Sequence, residues 1–157
     1  MSTFMSLDGT VKTLRADSAR GVNRARNYAY ALPFNFTALA SGASATPTQK
    51  VTASGAFVLG AITGSFYDTA TGARPVAAAA PYGDLEALTV TFSMNDGQFM
   101  ANPLPWRALV GTAENPFYWV GIAPVFAPGA NVVVTIANAT GKTLTGSVVF
   151  IGHILGT

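Results

Sequence analysis

The side chains that most enzymes use for proton transfer and metal binding are scarce in this sequence. Histidine occurs once, at position 153, and cysteine does not occur. One histidine cannot form a two-histidine relay or a histidine-rich metal site within a chain, and without cysteine neither thiolate ligands nor disulfides can form. His153 stands among apolar residues, a setting typical of a core or interface histidine rather than of a general base.

Two short segments imitate sites but are explained by turns. Asp84 and Glu86 could share one strand face as a glycosidase pair or a Ca²⁺ site, yet both lie in or beside predicted turns, and turn chemistry explains them. The run Ala139-Thr140-Gly141-Lys142-Thr143 ends like a phosphate-binding loop, but position 136, where that motif has its first glycine, is isoleucine. We therefore predict no catalytic residue, no cofactor and no metal site.

Aromatic residues near predicted loops leave a different kind of chemistry open. Trp106, Tyr118 and Trp119 could stack on sugar rings, as in carbohydrate-binding sandwiches. Aromatic residues in such places also plug the end of a core or anchor a protein interface. All three roles stay open for Trp106.

The composition indicates a protein that buries surface against other proteins. Charged residues make up 10% of the 157 residues, whereas an ordinary soluble domain has about 25%. No apolar run approaches the roughly 18 residues of a membrane helix, so we expect no membrane partner. We expect instead a homo-oligomer, either a dimer or a trimer. The first residues lack the order of a signal peptide, which predicts a protein made and kept in the cytoplasm until it assembles.

The basic charge is concentrated at the N-terminal end. Residues 1–26 carry five basic and two acidic side chains, and the remaining 131 residues carry four basic and five acidic ones. We predict that residues 1–31 form a basic, partly ordered arm. Its arginines could belong to a solvated tail, dock on a neighbouring subunit or an acidic partner surface, or contact nucleic acid, which we favour least. The interface candidates in the arm are Arg15, Arg20, Arg24 and Arg26.

Strand-like alternation of apolar and polar residues covers the chain from position 32 onward. Leu32, Phe34 and Phe36 share one face of a first strand, and Leu88, Val90, Phe92 and Met94 share one face of a later strand that closes at Asn95-Asp96-Gly97 as a hairpin. A third run, 56–67, predicts one face with Phe57, Leu59, Ala61 and Thr63, while Gly60 and Gly64 leave room for a bulge or a close neighbour.

These seven to nine short strands, separated by frequent turns, predict an all-β fold. We expect a single β-sandwich over residues 32–157 with jelly-roll or Greek-key connections. The connection Asn102 to Pro116 is long and holds three prolines, so we predict that it forms a contact surface with Trp106 and Arg107 as anchors.

The C-terminal end predicts both a hairpin and an interface. Val132 to Ala137 and Thr143 to Leu155 are strand-like runs, and Gly141 in the link between them supplies a positive φ. The second run is apolar on both faces, whereas an outer sheet face is normally polar. We therefore predict that another subunit covers the outer residues, and the interface candidates are Val149, Ile151, His153 and Leu155.

Residues 85–155 carry a further pattern. It consists of Leu104-Pro105-Trp106, the stretch 125–131, the strand and turn 132–141, and the ending Gly152-His153-Ile154-Leu155. In this pattern the chain resembles small jelly-roll structural proteins of tailed-bacteriophage virions. The resemblance implies a capsid decoration (cement) protein or a related head or tail accessory protein, without enzymatic activity or cofactor. The arm lies outside the matched pattern.

The resemblance and the composition lead to one functional expectation. We expect a virion structural protein on the capsid surface that binds the major capsid protein or other virion proteins and stabilises the head shell. We do not expect it to bind nucleic acid. The alternative is a tail-fibre, spike-base or other carbohydrate-binding β-sandwich module.

Overall fold

The chain folds into two antiparallel β-sheets that pack face to face. The structure is a computed structural model and describes residues 29–74, 86–94, 97–98, 100, 102–110, 116–118 and 123–155. The predicted arm, including Arg15, Arg20, Arg24 and Arg26, lies outside these residues, as does Trp119. Residues 29–31, which the sequence pattern places in the arm, already belong to the first strand.

The first sheet is built around the last strand of the chain. Its members are β1 (Ala29–Leu39), β4 (Ala56–Asp68), β8 (Phe117–Tyr118), β9 (Val125–Phe126) and β11 (Leu144–Leu155). β11 lies between β1 and β4, and the short strands β8 and β9 both pair with the other edge of β4.

The second sheet is centred on the two strands β5 and β10. Its members are β2 (Ser44–Ala45), β3 (Thr48–Lys50), β5 (Leu88–Met94), β6 (Gly97–Gln98), β7 (Leu104–Pro105) and β10 (Asn131–Asn138). β2 and β3 pair with the outer edge of β10, and β6 and β7 pair with the outer edge of β5. One helical turn, α1 (Trp106–Leu109), directly follows β7.

The order of the strands identifies a jelly roll. β2 and β3 together occupy one strand position, β6 and β7 occupy a second, and β8 and β9 occupy a third. The eleven strands therefore fill eight positions. Numbered along the chain, these positions run 1-8-3-6 in the first sheet and 2-7-4-5 in the second. This is the wiring of two interleaved Greek keys, so the predicted all-β sandwich is confirmed.

The core between the sheets is aromatic. The Phe150 ring on β11 lies 4.9 Å from Phe34 on the neighbouring strand and 5.1 Å from Phe92 on the opposite sheet. Phe126 stacks on Phe57 at 5.7 Å and thereby closes the first sheet at its β9 edge. The inward residues predicted for β1 and β10 are buried as expected; they are Leu32, Phe34, Phe36, Val132, Val134 and Ile136. Alternation of apolar residues therefore places the core correctly.

The predicted C-terminal hairpin is wrong, although both of its strands exist. β10 pairs with β5, β2 and β3, whereas β11 pairs with β1 and β4 in the other sheet. The link 139–143 crosses from one sheet to the other, with Gly141 at φ 78° as predicted. Both strands have an apolar inner face, and a sandwich can satisfy two such strands by placing them on opposite sides of its core.

The predicted faces of β4 are correct for only half of the strand. Phe57 and Leu59 point inward as expected, but beyond a bulge Ile62 and Phe66 take the core positions. Ala61 is only 6% exposed, yet it pairs with Ile151 and lies outside the core cluster. The register against β11 shifts between Ile151 and Gly152, opposite Gly60 of β4. One extra residue in a strand reverses the alternation that follows it, so Ala61 and Thr63 face outward instead of inward.

The hairpin predicted at 95–97 agrees with the strand pairing. Met94 pairs with Gly97 and Ser93 with Gln98, which joins β5 and β6 through a two-residue link. Residues 95–96 themselves lie outside the described residues.

Candidate interaction surface

The outward side chains of the first sheet form the surface that we call the outer face. On β1 and β11 they are Ala31, Pro33, Asn35, Thr145, Ser147, Val149, Ile151, His153 and Leu155; on β4, β8 and β9 they are Val58, Ala61, Thr63, Ser65, Tyr67, Tyr118 and Val125. Apart from Ala61, which is 6% exposed, these positions alternate with the buried residues of the same strands, and the pairing registers align them in rows across the sheet.

Three of these rows are largely apolar. The first runs Ala31, Ile151, Ala61 and Tyr118; the second runs Pro33, Val149 and Thr63; the third runs His153, Val58 and Val125. Large apolar side chains in or beside them are well exposed, namely Tyr118 at 65%, Val125 at 52%, Leu155 at 41% and Ile151 at 39%. The opposite half of the outer face is more polar, with Asn35, Ser147, Ser65 and Thr145.

Among the described residues, the outer face holds no charged side chain. The charged residues in the described part of the chain are Lys50, Asp68, Arg74, Glu86, Arg107 and Lys142, and none of them is among the outward residues of this face. His153 is half-buried between apolar neighbours of this face, and none of the acidic residues that the structure describes lies beside it to orient its ring. Neither an acid–base relay nor a charged ligand site can be built from these side chains.

The outer face of the second sheet has a different character. Thr89, Thr91 and Ser93 on β5 stand opposite Ala137, Thr135 and Val133 on β10. Hydroxyl groups therefore dominate there, as expected of a sheet face that water covers. The apolar character is specific to the first sheet.

Trp106 is a core residue and not an exposed anchor. It is 3% exposed and lies at the start of α1, where its ring meets Phe66 edge-on at 5.0 Å and Phe36 at 6.3 Å. Of the three roles left open by the sequence, this geometry is that of a plug at one end of the sandwich. Because the indole ring of Trp106 is buried, neither of its faces is accessible to a sugar or a partner protein.

Arg107, the next residue, points outward from the same helical turn. Its Nε lies 3.7 Å from Oε1 of Glu86, and both side chains are about two-fifths exposed. Exposed ion pairs of this kind contribute about 0–1 kcal/mol to stability. Glu86 therefore pairs with Arg107, while Asp84, its proposed acidic partner, lies outside the described residues.

Asn138 was not predicted as an important residue and proves to be the buried polar centre of one end. Its Nδ2 donates to the carbonyl oxygens of Leu39 at 2.8 Å and Lys142 at 2.9 Å. Its Oδ1 accepts from the backbone N–H of Thr140 at 3.0 Å and from the Thr140 hydroxyl at 2.8 Å. The sequence signal for this structural role was the Asn-x-Thr spacing, because an asparagine two residues before a threonine often forms an Asx turn. The side chain ties the β10–β11 link to the end of β1.

The P-loop-like run contains this link and serves as a turn. The backbone N–H of Gly141 donates to Ser41 Oγ at 3.0 Å, so the segment binds a neighbouring loop of its own chain. Within the described residues, no group of three or more histidine, cysteine or carboxylate side chains is placed to hold a metal ion. No helix in the described part of the chain has the length and apolar character needed to cross a membrane.

Comparisons with models of known protein families, with curated proteins and with solved structures find no significant match to this chain.

Proposed function

We propose that this chain is a capsid decoration protein of a tailed-bacteriophage virion, which attaches to the head shell through protein–protein contacts. It would be made in the host cytoplasm and reside on the capsid surface as a dimer or trimer. Its partner would be the major capsid protein or another virion protein. In this proposal the chain carries out no reaction and needs no cofactor.

The observation that carries the proposal is the outer face of the first sheet. Large apolar side chains such as Tyr118 and Val125 are exposed to solvent there, and no charged group of the described residues lies among them. Contiguous exposed apolar surface on a folded chain marks a site for a protein partner, as expected of a subunit that finishes burying its surface only in an assembly with other copies or other virion proteins. The jelly roll supports the same reading, since this architecture is common among capsid proteins, although it also occurs in lectins.

The test is binding to assembled particles. Recombinant protein would be mixed with heads of the encoding phage that were purified without it, and pelleted with them through a sucrose cushion. We expect saturable binding at a fixed ratio to capsid subunits and an ordered extra density on the shell by electron cryomicroscopy. Unassembled capsid subunits are the matched control. Absence of saturable binding to heads would refute the decoration role.

The carbohydrate-binding alternative has one specific observation in its favour. Tyr118 presents a largely exposed ring on β8, while Trp106, the other described candidate for a stacking platform, is buried. A glycan array with the wild-type protein and Tyr118→Ala separates the two functions. Glycan binding that disappears in this variant, together with no binding to heads, would establish the alternative.

A further inference from the structure

We propose that the outer face of the first sheet is occupied by the same face of a second copy of this chain, paired about a two-fold axis close to β11. The biological setting of this dimer rests on the proposed function, but the physical argument depends only on the described residues. In this dimer the outer face mediates self-association, and the ends of the sandwich remain available to the capsid shell.

The distribution of apolar side chains places the axis near β11. Ile151 and Val149 of this strand belong to two of the apolar rows, with Ala31 and Pro33 on one side and Ala61 and Thr63 on the other. An isologous pair buries the same residues on both subunits, so a strand in the middle of the patch is where the two copies meet. β11 and β4 are the two central strands of this sheet, each with a strand on both sides. We place the axis on the β11 side of this pair because Ile151 and Val149 lie on β11.

Charge favours a second copy over the basic N-terminal segment of the chain. Residues 1–26 carry five cationic side chains, and the outer face offers no carboxylate to any of them. Covering a neutral apolar surface with guanidinium groups would remove their water without giving them a partner, which is costly. Two neutral faces meet without repulsion or unpaired charge. The interfaces of homodimers are more apolar than those of transient complexes, and this face fits that class.

The free edge of β1 is blocked, so a second copy cannot readily extend the first sheet at that edge. Pro33 lies in the middle of this edge strand and has no N–H to donate to an added strand. Near the strand end, Ala38 has φ 49° and its N–H donates to Thr145 Oγ1 at 3.0 Å, where the register against β11 is also irregular. Proline and bulges prevent edge-to-edge pairing. The exposed sheet therefore has an open face beside a closed edge.

The size of the face agrees with a dimer. Three strands spaced about 4.8 Å apart, each about a dozen residues long at about 3.3 Å per residue, present roughly 570 Å², and the short strands β8 and β9 add roughly 60 Å². A stable protein–protein interface buries about 800 Å² on each partner. Packing of two whole outer faces would thus provide most of the area that a specific dimer needs.

The absence of cysteine makes a direct test possible. Single cysteines would be introduced in the full-length chain as Ser147→Cys, Val149→Cys, Ile151→Cys and Leu155→Cys along the outer face of β11. Thr91→Cys and Thr135→Cys on the outer face of the second sheet are the matched controls. Each variant is treated with mild oxidant and, separately, with a short bis-maleimide, because facing sheets lie about 10 Å apart.

We expect covalent dimers from the β11 variants, with the highest yield at the residue nearest the axis and lower yields on both sides of it. We expect the two control variants to stay monomeric on a denaturing gel. Equal cross-linking of the control cysteines would overturn the assignment of the face. Cross-linking of no variant would overturn the dimer itself.

Sedimentation equilibrium of the unmodified protein gives an independent measurement. It should cover about 1 µM to about 100 µM, since the dimer fraction depends on protomer concentration. Ile151→Lys should raise the dimer dissociation constant about thirtyfold or more, as expected for a central interface residue, while Thr91→Lys should leave it unchanged. Circular dichroism establishes that both variants fold. A monomeric wild-type protein throughout this range would refute the inference.

Failure of this inference and failure of the proposed function give different results. Self-association is measured without any capsid, and head binding is measured separately. A monomer that still decorates heads would contradict only the two-fold dimer. A dimer that cross-links through β11 but does not bind heads would contradict only the decoration role.

Discussion

The indole ring of Trp106 fills the place where a side chain on Gly64 would begin. A Cβ atom at Gly64 would lie 2.7 Å from Cζ2 of Trp106, 2.8 Å from Cγ1 of Val110 and 2.6 Å from the carbonyl oxygen of Ser147. The last of these atoms belongs to the neighbouring strand and cannot rotate away. Because Gly64 on β4 has no side chain, Trp106 of α1 can enter the sandwich and plug its end.

We expect Gly64→Ala to lower the free energy of unfolding by about 1–3 kcal/mol, because the added methyl group overpacks a filled site. Gly60→Ala on the same strand is the control, since its Cβ would meet nothing closer than the Ile151 carbonyl oxygen at 3.6 Å. That variant should stay within about 1 kcal/mol of the wild type. Urea denaturation measures both, and equal stability of the two variants would contradict the close approach at Gly64.

Removal of the plug should destabilise the protein more strongly. Trp106→Ala deletes a buried ring that contacts Phe66 and Phe36, and we expect a loss of about 3–5 kcal/mol in unfolding free energy. Arg107→Ala, one residue along, removes an exposed side chain and should cost about 1 kcal/mol or less. If Trp106→Ala keeps the stability of the wild type but loses attachment to heads, the ring is an interface anchor after all.

Local patterns in the sequence were sufficient for the core but not for the arrangement of strands around it. The alternation of Phe34, Phe92 and Phe150 with polar residues places each of them inward, because the side-chain period of a strand is fixed by its backbone. The partner of a strand is not fixed locally. Thus β10 and β11, adjacent in sequence, belong to different sheets, and the bulge near Gly60 changed the face assigned to Ala61 and Thr63.

The candidate surface was predictable in part for the same reason. Apolar residues on both sides of β11 indicated an outer face that needs a cover, and Val149 and Ile151 do lie outward. The contributions of Tyr118 and Val125 could not be foreseen, since they depend on β8 and β9 sharing one edge of β4. The burial of Trp106 also depends on residues distant in sequence.

A third substitution tests the polar centre at Asn138. Asn138→Asp keeps the size and the acceptor toward Thr140, but it replaces two N–H donors with a carboxylate oxygen directed at the carbonyl groups of Leu39 and Lys142. We expect a loss of more than about 2 kcal/mol in unfolding free energy, because one buried and one partly buried carbonyl oxygen lose their donor beside a buried charge. Thermal unfolding of this variant should be compared with that of Asn102→Asp at an exposed position. Equal melting temperatures would contradict a structural role of the Asn138 hydrogen bonds.

The arginines at positions 15, 20, 24 and 26 allow a test of the basic segment in head attachment. Their joint replacement by glutamine should weaken binding to heads at low salt and leave a smaller difference at high salt, since screening reduces exposed electrostatic attraction. Replacement of Lys50 and Lys142, which lie on the sandwich itself, is the charge control. Binding that is unaffected at every ionic strength would return these arginines to the role of a solvated tail.

The pairing of β1 with β11 has a consequence for the folding of the chain during its synthesis on the ribosome. Ala38 and Thr145 are 107 positions apart and yet are joined by a hydrogen bond, and β4 likewise receives its central partner only when β11 has been made. Contacts of such long range form slowly, because a large loop must close before any pairing stabilises it. The first sheet therefore cannot be completed before β11 has been made, and until then the nascent chain lacks the strand that joins β1 to β4. Proline in the middle of β1 then has a second use: it discourages two unfinished chains from pairing through that strand while each still lacks β11.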